Sequence, residues 1–245
     1  MYILPAKHID GFGSQFQYFI SAIIYAELNG FEYVHRPVTV MDHNYNNDPT
    51  FLQRMNDAMN IDSKYRRYDE LKETDKEHKT NGKFKDFFDR NFEQYYNSAS
   101  LQNIKRKYLE NKPPKHTIFE KDVVHITVHV RRFNSHDSRG VDNIDNLLLF
   151  KMRQMNKEYQ EKNIRHHFHI ESQGTIENFS HFEKAFDNIS FHLNDEPDKS
   201  FYRMVISDVL ITHKSSFSYA AALLSDGIIY FKKFWHIGAE KWHHF

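Results

Sequence analysis

Val123-Val124-His125-Ile126-Thr127-Val128-His129-Val130-Arg131-Arg132 reads as a β-branched strand that runs directly into two adjacent guanidiniums. β-Branched residues favour the extended backbone, and a rigid, always-charged fork of donors at a strand end is suited to gripping phosphate. A solvated arginine pair closing a strand is the plain alternative, so the segments on either side decide between the two. Downstream, Asn143 to Lys162 carries Leu147, Leu148, Phe150, Met152 and Met155 at helical spacing, and Phe168 to Glu171 is extended. Ile176 to Phe186 reads as a helix, Ile189 to Leu193 as a strand, and Ser200 to Met204 as the start of a helix. Val209 to Ile211 is a strand, Ser218 to Leu224 a helix and Ile228 to Tyr230 a strand. Strands and helices in strict alternation imply a parallel sheet with both faces covered.

Upstream, Met1 to Leu4 reads as a short strand, followed by the glycine-bearing loop Asp10-Gly11-Phe12-Gly13-Ser14 and a helix marked by Phe16, Phe19, Ile20, Ile23, Ile24 and Leu28. The glycines fit a tight turn of positive φ, and Gly30 fits a helix stop. Phe31 to His35 resembles a second strand, ended by Pro37. From about Ser63 to Glu110 the chain is heavily charged, with Phe84, Phe87, Phe88, Phe92, Tyr95 and Tyr96 placed as on one amphipathic helix. Asn111-Lys112-Pro113-Pro114-Lys115 is the best linker, since paired prolines stiffen an extended connection. The expectation is two units, residues 1–112 with the charged helical insertion and residues 116–245. Each is a Rossmann-like parallel-sheet α/β domain, and the two face each other across a cleft at their strands' carboxyl ends.

Composition narrows the chemistry. The 33 Lys+Arg and 33 Asp+Glu among 245 residues cancel, which argues against a basic field built for nucleic acid, so any anion site is local. The absence of cysteine excludes disulfides, thiolate catalysis and Cys-type metal centres. No apolar run approaches the roughly 20 residues of a membrane span. Met1 leads into a strand without the flank of a secretory signal, and a cytoplasmic protein is expected. Of the 17 histidines, His166-His167-Phe168-His169 invites a zinc reading, but no adjacent carboxylate completes a ligand set and no metal is expected. Trp235 and Trp242 are read as anchors of the tail.

Two further segments carry chemistry. Gly11-Phe12-Gly13-Ser14-Gln15 lies between a strand and a helix, where backbone N–H groups approach an anion, although Phe16 occupies the third glycine position of a dinucleotide fingerprint that Glu32 would complete. His213-Lys214-Ser215-Ser216-Phe217-Ser218-Tyr219 follows a buried strand and opens an Ala-rich helix, suiting either a second phosphate cradle or ordinary N-capping by Ser215 or Ser216.

The order of these three segments resembles the fucosyltransferase-like superfamily of glycosyltransferases, over most of the chain outside Ser63 to Lys112. The resemblance implies a GT-B-like fold and inverting, metal-independent transfer of a sugar from a nucleotide diphosphate sugar, most often GDP-fucose, to a glycan hydroxyl, with no cofactor. Position by position it assigns Arg131 to the donor diphosphate, Arg132 to the same pocket, His129 to the nucleotide, and Ser215, Ser216 and Phe217 to the phosphate and nucleoside. Gly11, Gly13, Ser14 and Gln15 match the N-terminal loop that faces the reaction centre, and are expected as further donor contacts. Phe133-Asn134 replaces the usual Gly-Asp or Thr-Asp, and Glu171 or Gln173 stands where a guanine-reading acid is expected. The acceptor hydroxyl wants a general base. Asp137 is the first choice, with Asp10, Asp42 and His43 as competitors, the last two also as acceptor contacts. A silent nucleotide-sugar or glycan-binding module, and a sulfotransferase or NAD-type enzyme sharing only the sheet, remain the alternative readings.

Overall fold

The computed structural model describes residues 2–44, 47–61, 64–72, 78–79, 83–132 and 143–245. Contacts divide the chain into two units, Met1–Lys112 with Trp235–Lys241, and Pro113–Phe234 with Trp242–Phe245. The division falls at Lys112–Pro113. The tail differs from the expected 116–245, because Trp235–Lys241 returns to the N-terminal unit. There His236 Nδ1 donates to Asp89 Oδ2 at 3.0 Å, and the Glu240 N–H donates to Glu93 Oε1 at 3.0 Å. Trp242 is buried against Tyr219 and Phe231, as an anchor should be, whereas Trp235 is 61% exposed.

The N-terminal unit is built on α1 (Phe12–Leu28), which is apolar nearly all round and buried accordingly. A short parallel sheet in the order β2 (Glu32–Tyr33), β1 (Tyr2–Ile3), β3 (His78–Lys79) lies with it. The helix starts at Phe12, four residues earlier than the apolar spacing predicts, so Gly13, Ser14 and Gln15 belong to its first turn rather than to a loop. Two helices went unforeseen. α2 (Phe51–Met59) buries Phe51, Met55, Ala58 and Met59. The predicted single helix over Phe84 to Tyr96 is two, α3 (Phe84–Arg90) and α4 (Phe92–Tyr96), interrupted at Asn91. The second unforeseen helix, α5 (Ala99–Leu109), is capped by the Ser98 hydroxyl, which accepts from the Leu101 N–H at 3.1 Å.

The C-terminal unit holds a six-stranded, wholly parallel sheet in the order β6-β5-β4-β7-β8-β9. Its strands are β4 (Val124–Val130), β5 (His166–Ser172), β6 (Ile189–Leu193), β7 (Val209–Ile211), β8 (Ile228–Phe231) and β9 (His243–His244). The helices between them are α6 (Asp145–Glu161), α7 (Ser180–Glu183), α8 (Pro197–Ile206) and α9 (Ser216–Leu224). The predicted helix over Ile176 to Phe186 is a 3-10 turn, Ile176–Phe179, followed by the one-turn α7.

Alternation along a strand sends successive side chains to opposite faces. On one face Ile126, Val128, Val130, Phe168, Ile170, Val209 and Ile211 pack against Leu148, Met152 and Met155 of α6 and against Phe179 and Phe182. The opposite face is polar. The pairings His125↔His167, Thr127↔His169, His129↔Glu171, His169↔Ser190 and Glu171↔His192 set the histidines and the glutamate side by side there. A parallel sheet buried on both faces is ordinarily apolar throughout, so this polar face marks the unit.

Gly227, just before β8, has a steric reason for being glycine. A Cβ there would lie 2.5 Å from the Ser207 carbonyl oxygen and 2.8 Å from that of Asp208, both backbone atoms. Gly227→Ala is therefore expected to cost about 1–3 kcal/mol, the range of core overpacking, read as a lowered urea midpoint.

Candidate nucleotide site

Parallel pairing of β4 with β7 (Val128↔Ile211) brings the sequence after Val130 and the sequence after Ile211 to the same end of the sheet. His129 is the last residue of β4 on the polar face, and its ring meets Phe217 edge-on at 5.6 Å between centroids. Phe217 lies 5.6 Å from Phe201 of α8. Burial, reinforced by His213 and by the Arg131 guanidinium, pushes the His129 imidazole down to about 3. The ring is thus neutral at physiological pH, and its buried Nδ1 has no hydrogen-bond partner among the described residues. Arg131 follows on the half-buried margin and supplies a planar fork of donors. The structure accordingly gathers His129, Arg131, His213 and Phe217, from segments that are remote in sequence.

The loop into α9 is held by its own hydrogen bonds. Ser215 is the N-cap, its Oγ accepting from the Phe217 N–H at 3.2 Å. The Lys214 N–H donates to His213 Nδ1 at 2.9 Å, and the His213 N–H donates to Ser218 Oγ at 3.3 Å. Ser215 is buried, so the N-capping expectation applies to it, while Ser216 is half-buried at the helix start. First-turn N–H groups and the positive end of the helix dipole make such a start favourable to an anion.

Two expected donor contacts are committed elsewhere. Arg132 forms a two-pronged pair with Asp145, Nη1 to Oδ1 and Nη2 to Oδ2 both at 2.7 Å, and lies 4.6 Å over the Phe179 ring. The pair ties the end of β4 to the start of α6. Glu171, buried to 1% exposure, is gripped by the Arg203 guanidinium of α8, whose Nη2 also reaches Asp195 Oδ2 at 2.5 Å. Burial raises the Glu171 carboxyl to about 7 against the pull of Arg203. With both oxygens engaged, Glu171 is not placed to read a base, and half-buried Gln173 is left as the other expected reader. Sequence reasoning missed Asp145 and Arg203, since an ion pair across 13 or 32 residues leaves no local pattern. Asp145→Asn is expected to destabilise by about 1–3 kcal/mol, below the full value for a buried pair because Arg132 is partly exposed. Urea unfolding checks this.

In the N-terminal unit, Gly11 caps α1 with φ −69, so positive φ is not the reason for glycine. The reason is close approach, because a Cβ on Gly11 would lie 2.5 Å from His43 Nδ1. His43 thus sits at the start of α1, in a left-handed backbone conformation with φ 80. Gln15 is buried, its Nε2 donating to the carbonyls of Asp10 at 2.7 Å and Val40 at 2.9 Å, which ties the two loops together. Ser14 Oγ donates to Asp10 Oδ2 at 3.0 Å and accepts from Lys85 Nζ at 2.6 Å. Gly13 is buried and Asp42 lies exposed in a turn. Asp137, the first choice for a general base, lies outside the described residues, as do Phe133 and Asn134.

Among the described residues no helix is long and apolar enough to cross a membrane. No family model matches the sequence, and no curated protein matches it. Among solved structures, the chain is similar to a NodZ α-1,6-fucosyltransferase co-crystallised with GDP, at 11% identity and TM-score 0.50, over 91% of this chain and 92% of that one. The fucosyltransferase NodZ from Bradyrhizobium gives 11% identity and TM-score 0.50 over 91% and 93%. At such identity the likeness is one of fold, and the chain has the α/β, GT-B-like fold expected from its sequence.

Proposed function

We propose that this chain is an inverting glycosyltransferase that moves a sugar, with fucose from GDP-fucose as the first candidate, onto a hydroxyl of a glycan acceptor. The observation that carries the reading is the meeting of His129 and Arg131 with the His213–Phe217 loop at the carboxyl end of the sheet, where α/β folds bind their ligands. The fold likeness and the order of the three motifs support it.

In this reading the acceptor oxygen bonds to the anomeric carbon as the bond from that carbon to the diphosphate oxygen breaks. The acceptor's proton passes to a carboxylate, for which Asp137 is the candidate. Negative charge develops on the departing diphosphate. A preorganised cation is worth most where charge appears in the transition state, which gives Arg131 the central part and makes a bound metal unnecessary to the scheme. Neutral His129 offers its Nδ1 to the nucleotide, Ser216 and the first turn of α9 offer N–H groups, and Phe217 an aromatic surface. Arg132 acts through Asp145 rather than on the donor. In the N-terminal unit Asp42 and His43 are the candidate acceptor contacts, and the loop of Gly11, Gly13, Ser14 and Gln15 is the candidate donor contact.

Calorimetric titration with GDP and UDP, followed by assay of nucleotide release from GDP-fucose with a panel of glycan acceptors, tests the proposal. Saturable GDP binding and acceptor-dependent GDP release are expected. Binding without release across donors and acceptors would instead mark a silent nucleotide-sugar module, and no nucleoside diphosphate binding would end both readings.

A further inference from the structure

An ion pair with no part in the transfer chemistry stands beside the nucleotide loops. Glu171 and Arg203 expose 1% and 13% of their side chains. Glu171 lies near the carboxyl end of β5, in register with His129 of β4 on one side and His192 of β6 on the other. Neighbouring strands run about 4.8 Å apart, so the carboxyl is one strand away from the ring assigned to the nucleotide. Arg203 closes over it from α8. Its Nε and Nη2 donate to the two carboxylate oxygens, Nη2 to Oε2 at 2.9 Å, and Nη2 also reaches Asp195 Oδ2 at 2.5 Å. Taking such a pair out of water is costly, and an apolar pair of the same volume is often as stable. Stability is therefore a weak reason for it, and the fixing of local geometry a better one.

What the pair fixes follows from α8. Phe201, two residues before Arg203, is fully buried and lies 5.6 Å from Phe217, whose ring meets His129 edge-on at 5.6 Å. Residues two apart on a helix point to different sides, so α8 is held to β5 by Arg203 and to the loop of α9 by Phe201. The helix packs on both β4 and α9. A continuous chain of contacts thus runs Glu171, Arg203, Phe201, Phe217, His129. It closes on itself, because His129 and Glu171 are register partners.

We propose that Glu171 and Arg203 are positioning residues for the nucleotide: they set α8, and with it the Phe217 ring against His129, so that donor affinity depends on a carboxylate the donor does not touch. The identity of the ligand rests on the glycosyltransferase reading, and the coupling rests on the contacts of α8.

A pH profile separates this role from a merely structural one. The groups facing Glu171 are His129 from β4, His169 from its own strand, His192 from β6, Asp195 beyond β6, and Ser200 and Arg203 from α8. Burial holds the imidazoles of His129, His169 and His192 at about 3, 2 and 4, so they stay neutral between pH 8 and pH 6. Burial raises the Glu171 carboxyl to about 7, inside that interval. Protonation puts a hydrogen on one of the two oxygens that Arg203 grips, and the two-pronged hold becomes a single one. Donor affinity is thus expected to fall as pH drops from 8 to 6. Charge alone predicts the reverse, since neutralising a carboxylate near a diphosphate favours the anion.

The test is calorimetric titration of the full chain with GDP-fucose at pH 8, 7 and 6, with circular dichroism confirming the fold at each pH. Both phosphates of a sugar nucleotide are doubly substituted, so the charge of the ligand is constant over this range. Expected is an affinity about fivefold or more weaker at pH 6 than at pH 8, the low end of coupling between separate sites. Glu171→Gln cannot ionise, and is expected to bind at pH 8 as weakly as the unaltered chain does at pH 6, with no pH dependence. Asp195→Asn removes a negative neighbour that raises the Glu171 carboxyl, and is expected to move the transition to lower pH. The Asp195 side chain is 37% exposed, which keeps the test valid if Glu171→Gln fails to fold. Affinity independent of pH, tighter binding at pH 6, a pH dependence that survives in Glu171→Gln, or a transition unmoved in Asp195→Asn overturns the inference. The two readings fail differently: no binding of GDP-fucose at any pH removes the donor site and the role of the pair with it, whereas binding indifferent to pH and to Glu171→Gln removes the role of the pair alone.

Discussion

Arg131→Ala is expected to weaken GDP binding by about 100-fold or more. A charge-assisted hydrogen bond to phosphate contributes about 1.5–3 kcal/mol, so loss of two prongs exceeds a factor of 100. Arg131→Lys keeps the charge but not the planar fork, and about a tenfold loss is expected for it. Turnover should suffer more than binding, because the leaving diphosphate carries more charge in the transition state than in the ground state. Calorimetry with GDP and single-turnover release of GDP measure the two effects separately, with an unchanged urea midpoint confirming the fold. The companion substitution Arg132→Ala has a different signature. It removes the partner of Asp145 and the cation over Phe179, so its main effect falls on stability.

Acidification is the second perturbation with a large expected effect. His129 is held near 3, His169 near 2 and His192 near 4, burial being the largest cause for each. In the unfolded chain all three titrate near 6.5. Below pH 6.5 the unfolded state therefore binds protons that the folded state refuses, and the stability these histidines contribute at neutral pH is lost as pH falls. Glu171 acts in the opposite sense. Its folded value of about 7 lies above its ordinary 4.5, so between those values the folded state holds a proton that the unfolded state has released. Three protons against one leave the unfolded state ahead. At about 1.4 kcal/mol per proton per pH unit, the C-terminal unit is expected to lose on the order of 1–3 kcal/mol per pH unit between pH 6 and 5. Urea unfolding at pH 7, 6 and 5 measures the slope, and a midpoint independent of pH would contradict the burial of these imidazoles. His169→Phe is expected to flatten the slope.

Much of the C-terminal unit was legible from the chain because its strands are short β-branched runs separated by helical spacings. Val124–Val130 is the clearest case, since its alternation of histidine or threonine with Ile126, Val128 and Val130 already encodes one apolar and one polar face. That residues 129–131 and 213–217 share one end of the sheet follows from the parallel pairing of β4 with β7, which no local pattern in either segment announces. Elsewhere the deciding interactions are non-local. The burial stripe of α2 lies in a polar context, and the i, i+3, i+7 spacing of Leu101, Ile104 and Tyr108 in α5 was hidden by the surrounding charge. Arg132 and Glu171 looked available because their partners, Asp145 and Arg203, come 13 and 32 residues later. Gly11 was read for its backbone freedom, yet what distinguishes it is the His43 ring, which would have to shift to admit a Cβ there.

The central claim is that the end of β4 and the start of α9 together hold a diphosphate. A crystal structure of the chain with GDP tests it most directly. The account predicts phosphate oxygens within hydrogen-bonding distance, about 2.7–3.2 Å, of the Arg131 guanidinium and of N–H groups in the first turn of α9. GDP lodged elsewhere, with Arg131 turned away from its phosphates, would contradict it.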